Sequence, residues 1–328
     1  MSPEEISVVV ATYNGEEFLR EQLDSILRQE CRPSELVIGD DGSTDRTLEI
    51  IEDFSNSCPF DVIVLHNNHA GVGSNFLKAV EATRSRYVAF ADQDDVWLPT
   101  KLDLLLTTIR RTNSDIVAHG VRTVDDSLQP VRSGYPNVRR LTVEERLKAN
   151  IWFPIGGNAM MFDRDLLEGC DWAARPPSQW SSDQMNHDDL VKLLGAVRGR
   201  TVRIPDRLLL YRQHRSNVEG ASRTLGQAMR GYSDPSEGIA HRIDVVREWA
   251  EYFTPLVPPS RQQETREYFD RAEMLMQARL DRLRQRSTRA FVDIARSVAR
   301  GEYSLHRPDG LDWKWALQDT YSLVRRMS

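Results

Sequence analysis

A regular alternation of short apolar runs with helical patterns over the first 92 residues constrains the fold most strongly. The runs are continuous and rich in β-branched residues, as in "ISVVVAT" at Ile6–Thr12, which is typical of strands covered on both faces. Further runs follow at Glu35–Asp40, Asp61–His66 and Arg86–Asp92, with apolar residues at helical spacing between them. This βαβαβαβ order predicts an α/β fold, with a mostly parallel sheet flanked by helices and right-handed crossovers.

Polar segments follow three of these strands. They are Ala11–Asn14 after the first, Asp40–Ser43 after the second and Asp92–Asp95 after the fourth. Since ligands of such sheets bind outside the carboxyl ends of the strands, this edge is the predicted binding site.

The segment "GDDGSTDRT" at Gly39–Thr47 allows two interpretations. Its adjacent carboxylates can accept hydrogen bonds from a nucleobase imide or a ribose hydroxyl. Turn chemistry explains the same residues without a ligand, with Ser43 or Thr44 capping a helix over Thr44–Phe54.

Three carboxylates occupy four positions in "DQDD", at Asp92, Asp94 and Asp95. Their repulsion has to be offset, and hard oxygen ligands suit Mg²⁺ or Mn²⁺, so the cluster favours a divalent cation. The alternative is a solvated loop in which Asp94 or Asp95 caps a helix that contains Leu98–Leu106.

The rest of the chain changes character near residue 221. "NAMMFD" at Asn158–Asp163 predicts a strand, Asp183–Gly199 a helix and Leu208–His214 a short strand. From about Ala221 the chain is rich in Arg, Glu, Gln, Leu and Ala and poor in strand formers, which predicts a helical appendage.

Composition excludes several classes of protein. The net charge of -6 argues against broad nucleic-acid binding, which needs a basic face. The three cysteines lack the spacing of a zinc site or a disulfide framework and favour a reducing compartment. No apolar stretch approaches the roughly 18 residues that span a bilayer, and the start of the chain does not resemble a signal peptide. We expect a cytoplasmic protein, with peripheral contact at the inner face of the membrane as the alternative.

Three motifs in order resemble the nucleotide-binding half of family 2 glycosyltransferases with the GT-A fold: "VVVATYNGEEFLREQLDSILRQ", "ELVIGDDGSTDRT" and "YVAFADQDDVWLPTKL". This resemblance covers Ile6–Val117. The later "GGNAMMF", "HDDL" and "YRQHRSNVEG" look like the bacterial rhamnosyltransferase-like branch and extend it to about Gly220. It implies a catalytic domain over 1–220, divided into a nucleotide-binding half (1–117) and an acceptor half (118–220), before the helical region 221–328.

The resemblance also implies which residues bind the nucleotide. Thr12, Tyr13 and Glu16 would line the base and ribose pocket. Asp41, or its neighbour Asp40, would hold the pyrimidine imide.

For the diphosphate, the resemblance implies a D-x-D element made by Asp92 and Asp94. Asp94 would be the closer ligand of a Mg²⁺ or Mn²⁺ ion, and Asp92 would lie nearer the ribose or the water shell of the metal. His214 would ligate the metal or touch the diphosphate, and Arg212 would neutralise phosphate charge.

Gly157 and Asn158 would shape the donor-sugar and acceptor pocket, although a Gly-Gly turn before a strand explains them nearly as well.

The motif "HDDL" matches the position where the family keeps its catalytic base. Inverting transfer needs a carboxylate facing the acceptor hydroxyl, opposite the departing diphosphate. Asp188 is the expected base and Asp189 the alternative. Without the other motifs, two acids in the first turn of a helix would be explained by the helix dipole.

The expected function is therefore metal-dependent, inverting transfer of a sugar from a nucleotide-diphosphate donor, dTDP-L-rhamnose in first place. The acceptor would be a hydroxyl of a glycan, a lipid-linked molecule or a secondary metabolite. The alternatives are a UDP-hexose transferase of the same fold and a catalytically silent sugar-nucleotide-binding or scaffold protein. The arginine-rich tail, which includes Arg279, is expected to pack on the catalytic domain or on a second copy in a homodimer with its arginines in water. An anionic membrane surface is the alternative partner of the tail.

Overall fold

The computed structural model describes residues 5–131, 138–152, 155–180, 183–214, 235–284, 288–299, 316 and 319–320. The chain forms two compact units. One contains Met1–Arg146, Pro154–Ala173 and Asn186–Ala221, and the other contains Leu147–Phe153, Ala174–Met185 and Ser222–Ser328. The predicted domain boundary near residue 220 lies outside the described residues and stays a prediction.

Four parallel strands form one half of the sheet, in the order β3-β2-β1-β4. They are β1 Ile6–Thr12, β2 Glu35–Asp40, β3 Asp61–His66 and β4 Tyr87–Asp92, joined by helices α1 Leu19–Leu27, α2 Thr47–Ser57 and α3 Val72–Glu81. Ala11 pairs with Gly39 on one side and with Asp92 on the other, so three carboxyl ends meet at one edge. Because β1 and β2 are buried on both faces, the middle of each strand is a run of apolar residues, Val8–Val10 in β1 and Leu36–Ile38 in β2.

The described part of the sheet continues with β5 Val96–Trp97, β6 Ile116–Val124, β7 Thr142–Glu144, β8 Met160–Asp163 and β9 Thr201–Arg212. Beyond β4 the order is β8-β6-β9-β5, with β7 paired to β9. β8 runs antiparallel to β4 and β6, whereas β9 is parallel to β6. Helices α4 Lys101–Thr112 and α5 His187–Arg198 complete this unit. The predicted α/β class, a mostly parallel sheet flanked by helices, is confirmed.

Helix α2 begins at Thr47, so the prediction that Ser43 or Thr44 caps it is wrong. Both residues are used elsewhere: the Ser43 hydroxyl donates to Asp40 (2.5 Å), and the Thr44 amide donates to Asn14 Oδ1 (2.8 Å). Ser43 and Thr44 therefore form hydrogen bonds within and around the turn at the end of β2, and the helix begins later, at Thr47.

The interpretation of Asp94 or Asp95 as a helix cap is also wrong. Helix α4 begins at Lys101, after the short strand β5 and the N-cap position Thr100. The acidic residues thus precede a strand, and the first turn of a helix does not explain them.

Two predicted strands have different limits in the structure. Residues Gly157–Ala159 form a 3₁₀ turn, so the strand predicted from Asn158 begins at Met160. β9 begins at Thr201 instead of Leu208, because its buried Arg203 is paired with Glu144 of β7 and so is accommodated inside the sheet.

The predicted helical character of the C-terminal region is confirmed by the described helices α6 Pro235–Phe253, α7 Pro259–Arg284 and α8 Thr288–Ala299. Its predicted start at residue 221 lies outside the described residues. Aromatic side chains form much of the core of their unit, with Phe253 stacked on Phe269 at 6.0 Å between ring centroids. Arg279 is buried in a bidentate ion pair with Asp319, at 3.0 and 2.8 Å. The expectation that the arginines of a packed tail lie in water is therefore wrong for Arg279. None of the described helices combines the length and apolar composition needed to cross a bilayer.

Candidate active site

Asp40 shapes the turn that follows β2. Its carboxylate accepts from the Thr12 hydroxyl (2.8 Å), the Gly42 amide (3.2 Å), and the amide and hydroxyl of Ser43 (2.9 and 2.5 Å). These four bonds fill the roughly four acceptor positions of a carboxylate. Asp40 and Thr12 are both buried and hold each other, so Asp40 has little capacity left for a ligand.

Asp41 holds the start of α3. Its two oxygens accept from the amides of Ala70 (2.7 Å) and Gly71 (2.9 Å). Among the described residues these are its side-chain hydrogen bonds, which leaves about two acceptor positions open. Of the two carboxylates predicted to bind an imide, Asp41 is therefore the better placed.

The loop after β1 is fixed to both neighbouring strand ends. Gln93 accepts from the Tyr13 amide (2.9 Å) and donates to the Tyr13 carbonyl (3.1 Å), while Glu16 accepts from the Arg46 amide (3.0 Å). The Tyr13 ring is 49% exposed and makes an edge contact with His69 at 5.8 Å. His69 could not be predicted from the sequence, because a single histidine in a polar loop carries no signal of its own.

The acidic cluster lies directly after β4. Asp92, Asp94 and Asp95 each offer a carboxylate oxygen, and these oxygens lie within 4.8 Å of one another. Burial raises the pKa of Asp95 well above its ordinary value, and the charges of Asp94 and Asp92 raise it further. A set of hard, mutually repelling oxygens at this spacing fits Mg²⁺ or Mn²⁺.

His214 lies beside this cluster, and its role as a metal ligand or diphosphate contact stays a prediction. Its Nε2 is 2.9 Å from Asp94 Oδ2, and its ring contacts Phe18 at 4.8 Å between centroids. The loop after β9 and the start of α1 thus support the same carboxylate.

The Arg212 side chain is engaged by protein groups, and its predicted role at a phosphate stays a prediction. Its side chain is 2% exposed and donates to the carbonyls of Asp94 (2.8 Å) and Asp126 (2.5 Å) and to Glu21. Its guanidinium also lies over the Phe18 ring at 4.4 Å. In this structure Arg212 holds the backbone of the acidic turn and is directed toward protein acceptors.

Asn158 connects the acidic cluster to helix α4. Its side chain donates to Asp95 Oδ2 (2.6 Å), and its carbonyl accepts from Lys101 Nζ (2.5 Å). Lys101 is fully buried, which lowers its pKa well below the ordinary value although Asp95 and Asp92 oppose that shift. Lys101 was not among the predicted site residues, although its helical spacing with the buried Leu105 indicates a lysine on an apolar face.

Asp188 lies in the first turn of α5, next to the Gly157 turn. A Cβ atom at Gly157 would lie 3.4 Å from Asp188 Cβ and 2.5 Å from His187 Nε2. The His187 ring stacks on Phe76 at 3.9 Å, which fixes the start of the helix. The close approach of α5 to this turn therefore requires glycine.

The two acids of "HDDL" differ in their surroundings. Asp189 forms an ion pair with Lys192, whose side chain is only 6% exposed. Asp188 Oδ1 accepts from the Asp189 amide (2.8 Å), and its side chain lies on the side of Gly157. The structure thus gives Asp189 a buried cation to neutralise and places Asp188 beside the turn that reaches the acidic cluster.

Comparison with known proteins gives a consistent set of similarities. A sequence model described as Glycosyl transferase family 2 matches residues 7–169. The dTDP-rhamnosyl transferase RfbG of Shigella flexneri is 28% identical over 225 residues, which are 65% of this chain and 74% of that protein. An uncharacterized glycosyltransferase of Nostoc sp. is 25% identical over 68% of this chain and 69% of its own length.

Among solved structures, S. aureus TarS 1-349 superposes with a TM-score of 0.56 at 18% identity, over 98% of this chain and 90% of that one. Its complex with UDP-GlcNAc gives the same TM-score at 19% identity. At this identity the likeness concerns the fold.

Proposed function

Residues 7–169 of the chain belong to glycosyl transferase family 2, and on that premise we propose that the protein transfers a sugar, with inversion, from a nucleotide-diphosphate donor to an acceptor hydroxyl. One observation carries the proposal. The turn at Gly157 and Asn158 lies beside the candidate base Asp188, so closely that a Cβ atom at Gly157 would be 3.4 Å from Asp188 Cβ, and its Asn158 side chain donates to Asp95 of the acidic cluster. The site of the leaving group and the candidate base thus both adjoin one short segment of the chain.

The nucleotide binds at the ends of β1 and β2. Asp41 accepts the pyrimidine imide, since it retains acceptor positions that Asp40 lacks. Thr12 and Glu16 fix the loop, and Tyr13 offers its exposed ring to the base and ribose.

The donor in first place is dTDP-L-rhamnose, because RfbG, named as a dTDP-rhamnosyl transferase, is similar over most of its length. A UDP-hexose is the alternative, because TarS, which shares the fold, is solved with UDP-GlcNAc.

Asp92, Asp94 and His214 would hold a Mg²⁺ or Mn²⁺ ion at the acidic cluster. The ion would supply positive charge to offset the negative charge of the diphosphate as its bond to the sugar breaks. Arg212 contributes by holding the Asp94 backbone, so we assign it a positioning role.

Asp188 is the general base. It accepts the proton of the acceptor hydroxyl as that oxygen attacks the anomeric carbon, so the new glycosidic bond forms while the bond to the diphosphate breaks. Asp189 is not available for this role, because it neutralises the buried Lys192. Gly157 lets α5 approach closely enough to present Asp188.

The acceptor is a hydroxyl of a glycan, a lipid-linked molecule or a secondary metabolite, and catalysis is assigned to a domain over 1–220. We also propose a cytoplasmic location. The tail helices would pack on the catalytic domain or on a second copy of the chain in a homodimer. Co-sedimentation of the full chain with anionic vesicles, absent with neutral ones, would contradict that role of the tail and favour peripheral binding to the membrane.

Incubation of the purified protein with dTDP-L-rhamnose, UDP-glucose and UDP-N-acetylglucosamine tests the proposal, with release of nucleoside diphosphate as the readout. We expect slow hydrolysis of one donor with Mn²⁺ and none with excess chelator. Hydrolysis of a UDP-hexose alone would favour the alternative donor. Binding without any hydrolysis or transfer would favour the silent protein, and turnover in excess chelator would remove the metal from the mechanism.

A further inference from the structure

Asp95 differs from the other two acids of the cluster. It is 0% exposed, and both of its oxygens are engaged: Oδ1 accepts from the Arg212 amide (3.1 Å) and Oδ2 from the Asn158 side chain (2.6 Å). Asp92 and Asp94 are only partly buried. Because both oxygens of this buried carboxylate accept hydrogen bonds from the protein, Asp95 anchors the turn that follows β4. Asp92 and Asp94 are partly exposed and can reach a ligand.

The anchor continues into the interior through two residues. The Asn158 carbonyl accepts from Lys101 Nζ (2.5 Å), and that nitrogen lies 3.6 Å from the centre of the Trp97 ring. Lys101 is 0% exposed and Trp97 only 2%. Asp95 thus contacts Asn158, Asn158 contacts Lys101, and Lys101 contacts Trp97. The first and last of these residues, Asp95 and Trp97, lie on the same short segment that links β4 to β5 and includes β5.

The backbone of this segment is held independently. The Trp97 backbone amide donates to Ser25 Oγ (3.0 Å). In the orientation of the Gln22 side-chain amide that satisfies both of its polar atoms, its nitrogen donates to the Asp95 carbonyl (2.6 Å) and its oxygen accepts from Trp97 Nε1 (3.2 Å). Helix α1 therefore fixes the main chain on one side, while Asn158 fixes the Asp95 carboxylate on the other.

We propose that Lys101 and Asn158 are positioning residues of the cation site: through Asp95 they fix the turn that presents Asp92 and Asp94, and Asp95 itself is not a ligand. This inference rests on the proposed function, since it takes the acidic cluster as the cation site. Groups that hold metal ligands from behind are buried, hydrogen-bonded and precisely oriented. Asn158 and Lys101 meet all three conditions.

Binding of Mn²⁺ tests the proposal directly. Free Mn²⁺ is titrated by electron paramagnetic resonance in the presence of UDP or dTDP, with wild type, Asn158→Ala and Lys101→Met. Loss of such a supporting group typically costs about 10–100-fold in metal affinity. We expect both variants to need at least about tenfold more Mn²⁺ for half-saturation, and to recover donor turnover as Mn²⁺ is raised.

Ser7→Ala is the matched control. Ser7 is also fully buried and hydrogen-bonded between strands, to Glu35 (2.5 Å), but it pairs with Val88 near the start of β4, away from the carboxyl edge. It should lower the melting temperature and leave the half-saturating Mn²⁺ concentration unchanged.

Wild-type half-saturation in folded Asn158→Ala and Lys101→Met would overturn the inference, as would an equal shift in Ser7→Ala. If Lys101→Met does not fold, Asn158→Ala alone decides. Normal Mn²⁺ binding by wild type with the expected shifts in the variants, but no donor turnover, would contradict the proposed function and leave the inference standing. A wild type that binds no Mn²⁺ contradicts both.

Discussion

Exchanging each acid of "HDDL" for its amide should separate catalysis from stability. Asp188→Asn removes the charge of the general base and keeps its shape. Such a base contributes about 10²–10⁴-fold in rate, equivalent to roughly 2.7–5.4 kcal/mol of transition-state stabilisation. Because a base acts mainly in the transition state, we expect turnover to fall at least about a hundredfold while donor and metal affinity stay near wild type.

Asp189→Asn should give the opposite result, because Asp189 is the partner of the buried Lys192. Removing one partner of a buried ion pair typically costs about 3–5 kcal/mol. The substituted amide keeps an acceptor oxygen, so we expect a smaller loss of about 1–3 kcal/mol. Turnover per folded molecule should change little.

Three measurements on both variants decide the matter: nucleoside diphosphate release, calorimetric donor binding with Mn²⁺, and thermal unfolding. A slow but stable Asp188→Asn beside an active but less stable Asp189→Asn agrees with the assignment. If Asp189→Asn is the inactive variant and Asp188→Asn turns over normally, the base is misassigned by one position. Normal turnover in both would mean that another group deprotonates the acceptor.

Other substitutions test further parts of the structure. Gly157→Ala would place a Cβ atom 2.5 Å from the His187 imidazole, so we expect a loss of about 1–3 kcal/mol in urea unfolding together with slower turnover; unchanged values of both would contradict the close approach of α5. Asp94→Ala should weaken calorimetric donor binding as well as rate, because ground state and transition state share the cation, and unchanged donor affinity would exclude it as a ligand. Arg279→Met leaves its partner Asp319 buried without a cation and should lower the free energy of unfolding by about 3–5 kcal/mol in urea. Arg296→Met, at the exposed pair with Asp293, should lower it by less than about 1 kcal/mol. Equal losses in the two variants would contradict the buried ion pair.

The parallel half of the sheet could be predicted because local sequence determines it. β1 and β2 occupy their predicted ranges, since burial on both faces requires a continuous apolar run. The acidic edge followed from the rule that ligands bind at carboxyl strand ends. By contrast, β6 was not predicted, and β9 was predicted only in part because its charged residues interrupt the apolar pattern.

The contacts that organise the candidate site could not be predicted, because they join residues far apart in sequence. Asn158 binds Asp95 across 63 positions, and the Arg212 amide reaches the same carboxylate across 117. The sequence motif alone does not show whether Asp95 anchors the turn or binds a ligand. Its complete burial in the folded chain favours the role of an anchor. In the same way, the choice between Asp188 and Asp189 depends on Lys192, whose pairing becomes visible only once the helix is formed.

The central claim is that a nucleophile activated by Asp188 attacks the donor sugar from the side opposite its diphosphate. Real-time proton NMR of donor hydrolysis in the presence of Mn²⁺ tests this most directly, because it identifies the anomer of the released sugar before mutarotation. We predict that the first sugar to accumulate has the anomeric configuration opposite to that in the donor, and that Asp188→Asn slows its appearance at least about a hundredfold. First release of the sugar with the configuration of the donor would contradict the account.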